Sequence, residues 1–255
     1  MSADAIFEVR GLRKRFGDKV VLDGVDLTLR RGETLALLGP SGCGKSILLK
    51  CLVGLVPFDE GEVLFDGASV AAMTPAELIV LRRRVGLMFQ YNALFDSMTV
   101  AENTSYGLHE HFAGTMTEAE IDARVDEVLT AVGLPGTQLL KPAELSGGMR
   151  KRVGIARTMA LRPEVILYDE PTMGLDPVNA HRIDAIIVDL HRRFGIAAVM
   201  VTHDMELAFS AADRVAMILD GRIAGCDTPE RMRAHPDPRV SDFITGVDHA
   251  ALPEV

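Results

Sequence analysis

No stretch of this chain approaches the roughly 20 consecutive apolar residues that cross a bilayer, although 48% of its 255 residues are hydrophobic. Met1 to Arg10 also lacks the apolar run of a secretory signal. A soluble, cytosolic protein is therefore expected. Cysteine is scarce: Cys43, Cys51 and Cys226 form no Cys-x-x-Cys and, being three, cannot all pair within one chain. Free thiols in a reducing compartment fit better than a disulfide framework or a zinc site. Positive charge is short as well, and the formal net charge is −9. That balance disfavours loose binding to nucleic acid or to anionic lipid head groups. No nucleic-acid partner is expected, and any membrane link has to pass through another protein.

What the chain does have is enough length for one large α/β domain or two small ones, and one phosphate-binding pattern. Gly39-Pro40-Ser41-Gly42-Cys43-Gly44-Lys45-Ser46 fits G-x-x-x-x-G-K-[ST]. Holding a nucleotide's phosphates takes converging N–H donors with no bulky side chains between them. Gly39, Gly42 and Gly44 allow the backbone to curl so that its amides point inward. A helix beginning near Gly44 aims the positive end of its dipole at the same place. Lys45 is expected to reach the β- and γ-phosphates, and the Ser46 hydroxyl to ligate Mg²⁺. The context agrees, because the apolar run Thr34 to Leu38 reads as a buried strand and Ser46 to Leu52 as a packed helix.

Along the chain, Ile6 to Val9 alternates like an edge strand, Arg13 to Asp18 reads as a basic turn region, and Val20 to Leu29 alternates again. Together they suggest an antiparallel β layer ahead of the phosphate loop. A strand over Gly61 to Gly67, a short helix over Pro75 to Arg84 and a buried strand ending at Gln90 follow. From Tyr91 to about Leu161 strand signals stop. Thr117 and Glu120 form a capping box for a helix closed by Gly133, and a second helix begins at Ser146. Val165 to Tyr168 resumes the strands, with a helix from Val178 to Phe194 and a strand over Ala197 to Val201 after it. Val215 to Cys226 reads as a hairpin around Asp220-Gly221. His235 to Val255 is punctuated by proline, as a docking tail or a frayed end.

Three strands end in polar residues, at Gln90, Asp169-Glu170 and His203. In an open parallel sheet, strand ends are where ligands sit. Asp169 is placed to hold Mg²⁺ directly or through water. Glu170 would face the water that attacks the γ-phosphate, as base or as its positioner. Gln90 is a candidate Mg²⁺ ligand, and His203 a donor to the γ-phosphate. The other histidines, including His109, His111 and His191, have no assigned role.

Taken together, these residues resemble the ATP-binding-cassette (ABC) family of ATPases, over nearly the whole chain. Leu145-Ser146-Gly147-Gly148-Met149 resembles the family's signature sequence, Gln90 its Q-loop, Asp169-Glu170 its acidic strand end, Gly174-Leu175-Asp176 its D-loop and His203 its switch histidine. Met149 departs from the usual Gln and cannot donate a hydrogen bond. That leaves the γ-phosphate to Ser146 and the amides of Gly147 and Gly148. Phe16 falls where the family stacks an aromatic ring on adenine.

The resemblance implies a P-loop α/β fold with a mainly parallel core sheet, an antiparallel β subdomain and an α-helical subdomain. Its expected parts are a RecA-like core over 1–90 and 162–226, helices over 91–161 and a helical tail over 227–255. It also implies ATP and Mg²⁺ as ligands, hydrolysis by Lys45, Glu170 and His203, and a head-to-tail homodimer that sandwiches two ATPs. Each composite site would join one subunit's Lys45, Ser46, Gln90, Asp169, Glu170 and His203 to Ser146, Gly147 and Gly148 of the other, with Asp176 nearby. A membrane subunit would dock in the groove around Tyr91 to Met98. Phe89 to Val100, together with Leu145 to Met149 and the tail segment His235 to Val240, resembles the ATPases of Mla-type phospholipid transporters. That narrower likeness implies a permease dimer, a lipid-binding MCE-domain protein and a small STAS-domain protein as partners, on the cytoplasmic face of the inner membrane. It also suggests that the tail grips the neighbouring ATPase. The rival readings are the ATPase of a solute importer and a soluble ABC ATPase of DNA repair or ribosomes. The latter generally carries long coiled-coil insertions or tandem cassettes, absent from this sequence.

Overall fold

The structure is a computed structural model that describes residues 4–89 and 93–246. Its elements begin with β1 (Ala5–Phe16), β2 (Lys19–Arg30), β3 (Thr34–Leu38), α1 (Lys45–Leu52), β4 (Glu60–Phe65), β5 (Ala68–Ser69) and α2 (Pro75–Arg84). They continue through β6 (Val85–Met88), α3 (Val100–Phe112), α4 (Glu118–Ala131), α5 (Gly147–Ala160), β7 (Val165–Asp169) and α6 (Pro177–Phe194). The last are β8 (Ala197–Val201), α7 (Met205–Ala211), β9 (Arg214–Leu219), β10 (Arg222–Asp227), α8 (Pro229–Arg233) and α9 (Pro238–Thr245). Met1–Leu78 with Ala197–Val255 forms one compact unit, and Ile79–Ile196 forms a second.

In the first unit β2, β1, β4 and β5 make an antiparallel sheet in that order. The alternation at Ile6 to Val9 suggests an edge strand, but β1 is internal, with Leu29 opposite Phe7 on one side and Phe65 on the other. The Phe7 and Phe65 rings lie 4.9 Å apart. β4 enters the chain some fifty residues later, so local alternation could not reveal it. Nor is Arg13 to Asp18 a turn throughout. Strand β1 runs on to Phe16, and only Gly17-Asp18 turns, pairing Phe16 with Lys19. Leu12 and Lys14 are buried there, and the Lys14 ammonium reaches Asp59 Oδ1 at 3.2 Å.

A second sheet in the same unit places β3 between β8 and β9, parallel to both, with β10 antiparallel to β9. Leu35 to Leu38 are all fully buried, as a continuous apolar run covered on both faces should be. One side of this core gathers Ala36, Leu38, Phe209, Val215, Met217, Met232 and Val240, with Phe243 and Ile244 packed against it. Helix α9 is therefore folded onto its own unit, not frayed. The end of the expected tail, 247–255, lies outside the described residues.

In the second unit β6 and β7 pair in parallel, Val85 with Val165 and Met88 with Tyr168. Helix α5 passes so close to β6 that a Cβ on Gly86 would sit 2.3 Å from Thr158 Cγ2. The Thr117/Glu120 capping box forms as the sequence suggests, and a second one, Thr99 with Glu102, opens α3. The buried Asn103 side chain donates to the carbonyls of Phe95 (3.1 Å), Met98 (3.2 Å) and Thr99 (3.0 Å), and its Oδ1 accepts from Phe95 N at 2.8 Å. Four bonds from one side chain hold the 95–99 loop. No helix among the described residues is long and apolar enough to cross a membrane.

Candidate nucleotide site

The phosphate loop leaves β3 and enters α1. Gly39, Gly42 and Gly44 have φ of 146°, 78° and 106°, a region L-residues with side chains rarely occupy. At two of the three, space also demands glycine. A Cβ on Gly39 would lie 2.4 Å from the Ile218 carbonyl oxygen, and one on Gly44 2.9 Å from that of Val21. Gly39→Ala is expected to cost about 1–3 kcal/mol of stability, read as a Tm lowered by several degrees in thermal denaturation. An unchanged Tm would show that the loop tolerates a side chain there.

Helix α1 starts at Gly44 with no side-chain cap and no acidic residue in its first turn. The first turn of α1 thus brings no carboxylate of its own to these N–H groups, which suits an anionic ligand. Lys45 is only 5% exposed, and its ammonium donates to the Gly39 carbonyl at 2.7 Å and to the Pro40 carbonyl at 3.0 Å. These bonds set the cation against the loop backbone. Burial raises the Cys43 thiol above its ordinary pKa against the opposing pull of Lys45, so Cys43 stays a thiol. All three cysteines are free, as their spacing implied.

The register Leu37 opposite Val201 brings the carboxyl ends of β3 and β8 together. The phosphate loop and His203 thus leave the same edge of one sheet. His203 is exposed, and the turn around it is set by Asp204 N donating to Thr202 Oγ1 (3.0 Å) and Leu207 N donating to Asp204 Oδ1 (2.9 Å). Phe16, at the end of β1, is 50% exposed, and Lys14 Nζ stands 5.1 Å from its ring centroid. A half-open ring next to a cation suits a stacked base.

The remaining candidates belong to the second unit. Asp169 ends β7 and is buried. Glu170 follows at φ 52°, left-handed for a residue with a full side chain. Such a conformation costs about 1–3 kcal/mol and clusters at functional sites. Ser146 caps α5, its Oγ accepting from Met149 N at 3.2 Å. Asp176 caps α6, taking the Asn179 amide N–H at 3.1 Å and its side-chain nitrogen at 2.6 Å. The Asn179 side chain, more than its backbone, holds the Asp176 carboxyl below its ordinary pKa.

The signature and D-loop segments come together within this unit. A Cβ on Gly147 would stand 3.4 Å from Leu175 Cδ2, and one on Gly148 3.6 Å from Asn179 Oδ1. Lys151, two residues beyond Met149, is only 4% exposed. Burial lowers its pKa, and the Glu170 charge opposes that shift. In the sequence it is one cation in the run Arg150-Lys151-Arg152, and nothing local distinguishes it. Gln90 lies outside the described residues, as do Tyr91 and Asn92 of the expected docking groove.

The family model for ABC transporters matches residues 22–173. The chain is 37% identical over 249 residues to the intermembrane phospholipid transport system ATP-binding protein MlaF of Escherichia coli (strain K12), across 97% of this chain and 91% of that protein. It is 43% identical over 239 residues to the sulfate/thiosulfate import ATP-binding protein CysA of Xanthomonas campestris pv. campestris, across 93% of this chain and 68% of that one. A solved structure, a dimeric post-hydrolysis state of the ATP-binding cassette MJ0796 bound to ADP and Pi, superposes with a TM-score of 0.80 at 31% identity. That match covers 88% of this chain and 98% of the cassette.

Proposed function

Because this chain belongs to the ABC transporter family as an ATP-binding, ATP-hydrolysing subunit, we propose that it powers phospholipid transport across the cell envelope and so maintains outer-membrane lipid asymmetry. The observation that carries this reading is the likeness to MlaF over 97% of this chain and 91% of that protein. On this reading the subunit sits on the cytoplasmic face of the inner membrane. It is held there by a permease dimer, with an MCE-domain lipid-binding protein and a STAS-domain protein as companions. The 43% identity to CysA supports a second reading, the ATPase of a solute importer. Affinity purification of the tagged subunit from native membranes separates them. An MCE-domain companion is the expected result, and recovery of a solute importer's permease with no lipid-system subunit overturns the lipid assignment.

The residue roles follow from chemistry. Lys45 and the backbone N–H groups of Ser41, Gly42, Cys43, Gly44 and Ser46 hold the phosphates, on a turn shaped by Gly39 and by Pro40, which has no N–H to donate, with Phe16 stacked on the adenine. The Ser46 hydroxyl, the Asp169 carboxylate and the Gln90 carbonyl are hard oxygen donors that fit Mg²⁺. When bound, that ion neutralises charge on the β- and γ-phosphates. Glu170 orients the attacking water or takes its proton as the oxygen bonds the γ-phosphorus and the bond to the β-phosphate oxygen breaks, yielding ADP and Pi. His203 donates to the γ-phosphate and steadies its developing charge. Ser146, Gly147 and Gly148 serve the nucleotide of a second subunit, as a helix N-terminus can, with Asp176 shaping the segment beside them. ATP then closes the pair and hydrolysis releases it.

A further inference from the structure

His191 is a buried titratable group that this chemistry leaves unused. It lies in the last turn of α6 and is 7% exposed. Its Nδ1 is 2.8 Å from the Ile196 carbonyl oxygen and its Nε2 3.1 Å from the Tyr168 hydroxyl. A carbonyl oxygen only accepts, so Nδ1 carries the proton. In the neutral ring Nε2 is then a bare acceptor, and the Tyr168 O–H donates to it. Burial lowers the imidazole below its ordinary pKa and so favours that neutral form. The two rings also meet edge to face, 5.6 Å apart at 70°. Ile196, His191 and Tyr168 are thus joined by hydrogen bonds of one fixed polarity.

Tyr168 is completely buried and immediately precedes Asp169, after which Glu170 takes its left-handed turn. A strained residue keeps such a conformation only where its surroundings over-determine it. Apolar side chains of similar shape would fill this space without desolvating an imidazole and a phenol. What the hydrogen bonds add is direction, since they hold the strand against sliding or rolling just before it turns. We propose that His191 is a positioning residue for ATP hydrolysis, acting through Tyr168 to hold the acidic end of β7 in place. This inference rests on the roles proposed above for Asp169 and Glu170.

The test compares full-length Tyr168→Phe, His191→Asn and the double variant with wild type, alongside Glu170→Gln. Asn can still donate to Ile196 while losing Tyr168. Each single change is expected to lower kcat about tenfold, within the range that misplaced catalytic groups cost, with KM for ATP within about twofold. The double variant is expected to fall no further, because both changes cut the same bond. If both singles keep kcat within twofold of wild type and lose only thermal stability, or if their losses multiply in the double variant, the positioning role is overturned. Should Tyr168→Phe fail to fold, His191→Asn carries the test alone. Normal turnover of Glu170→Gln would show that the site reading itself had failed, whereas loss there with intact Tyr168→Phe and His191→Asn sinks this inference alone.

Discussion

Glu170→Gln is expected to slow ATP turnover by about 10²-fold or more, the usual cost of removing one group that acts in the transition state. The amide has nearly the same size and can still hydrogen-bond a water, but it cannot take up the proton released as water attacks. Binding should survive, because Glu170 is not among the donors proposed to hold the phosphates, most of which belong to the loop from Gly39 to Ser46. The left-handed backbone at Glu170, φ 52°, asks no more of Gln than of Glu. Phosphate release at saturating ATP gives the rate. Sedimentation in ATP reports whether the variant stays paired, as a subunit that binds without hydrolysing should. Turnover near wild type would remove Glu170 from its role.

Lys45→Ala is expected to weaken ATP binding about 10- to 100-fold, since hydrogen bonds to charged groups contribute about 1.5–3 kcal/mol each. The ammonium is buried to 5% exposure and already bonded to the Gly39 and Pro40 carbonyls. Removing it therefore deprives the phosphates of a cation and the loop of two of its bonds. Titration with a fluorescent ATP analogue measures the first effect. An unchanged dissociation constant would mean that the loop amides suffice and that Lys45 does not touch the phosphates.

The candidate site was legible to unequal degrees. The phosphate loop could be read because its requirements are local: glycine where φ is positive and where the carbonyls of Ile218 and Val21 leave no room for a Cβ. The end of β7 at Asp169 and the polar residues Thr202 and His203 just past the end of β8 were equally visible, as apolar runs that give way to polar residues. Helix α3 carries in Thr99 and Glu102 the same capping box as α4, so its start too is written in local sequence. Lys151 and His191 are a different case. Each looks like an ordinary polar residue on a helix, and only the packing around it makes it a buried group.

The sequence by itself determined the local features: a glycine-rich loop of the phosphate-binding pattern between a strand and a helix, capping residues ahead of helices, three cysteines with no Cys-x-x-Cys pair and a net charge of −9. These follow from neighbours a few residues apart, whose propensities and hydrogen bonds need no distant partner. Only the tertiary structure decided that β1 lies inside its sheet, that α9 folds back through Val240 onto its own unit, and that a histidine in α6 grips the tyrosine before Asp169. Each of those depends on which segments, tens of residues apart, exclude water together. That choice is made by the packing of the whole unit and leaves no periodic trace in the chain.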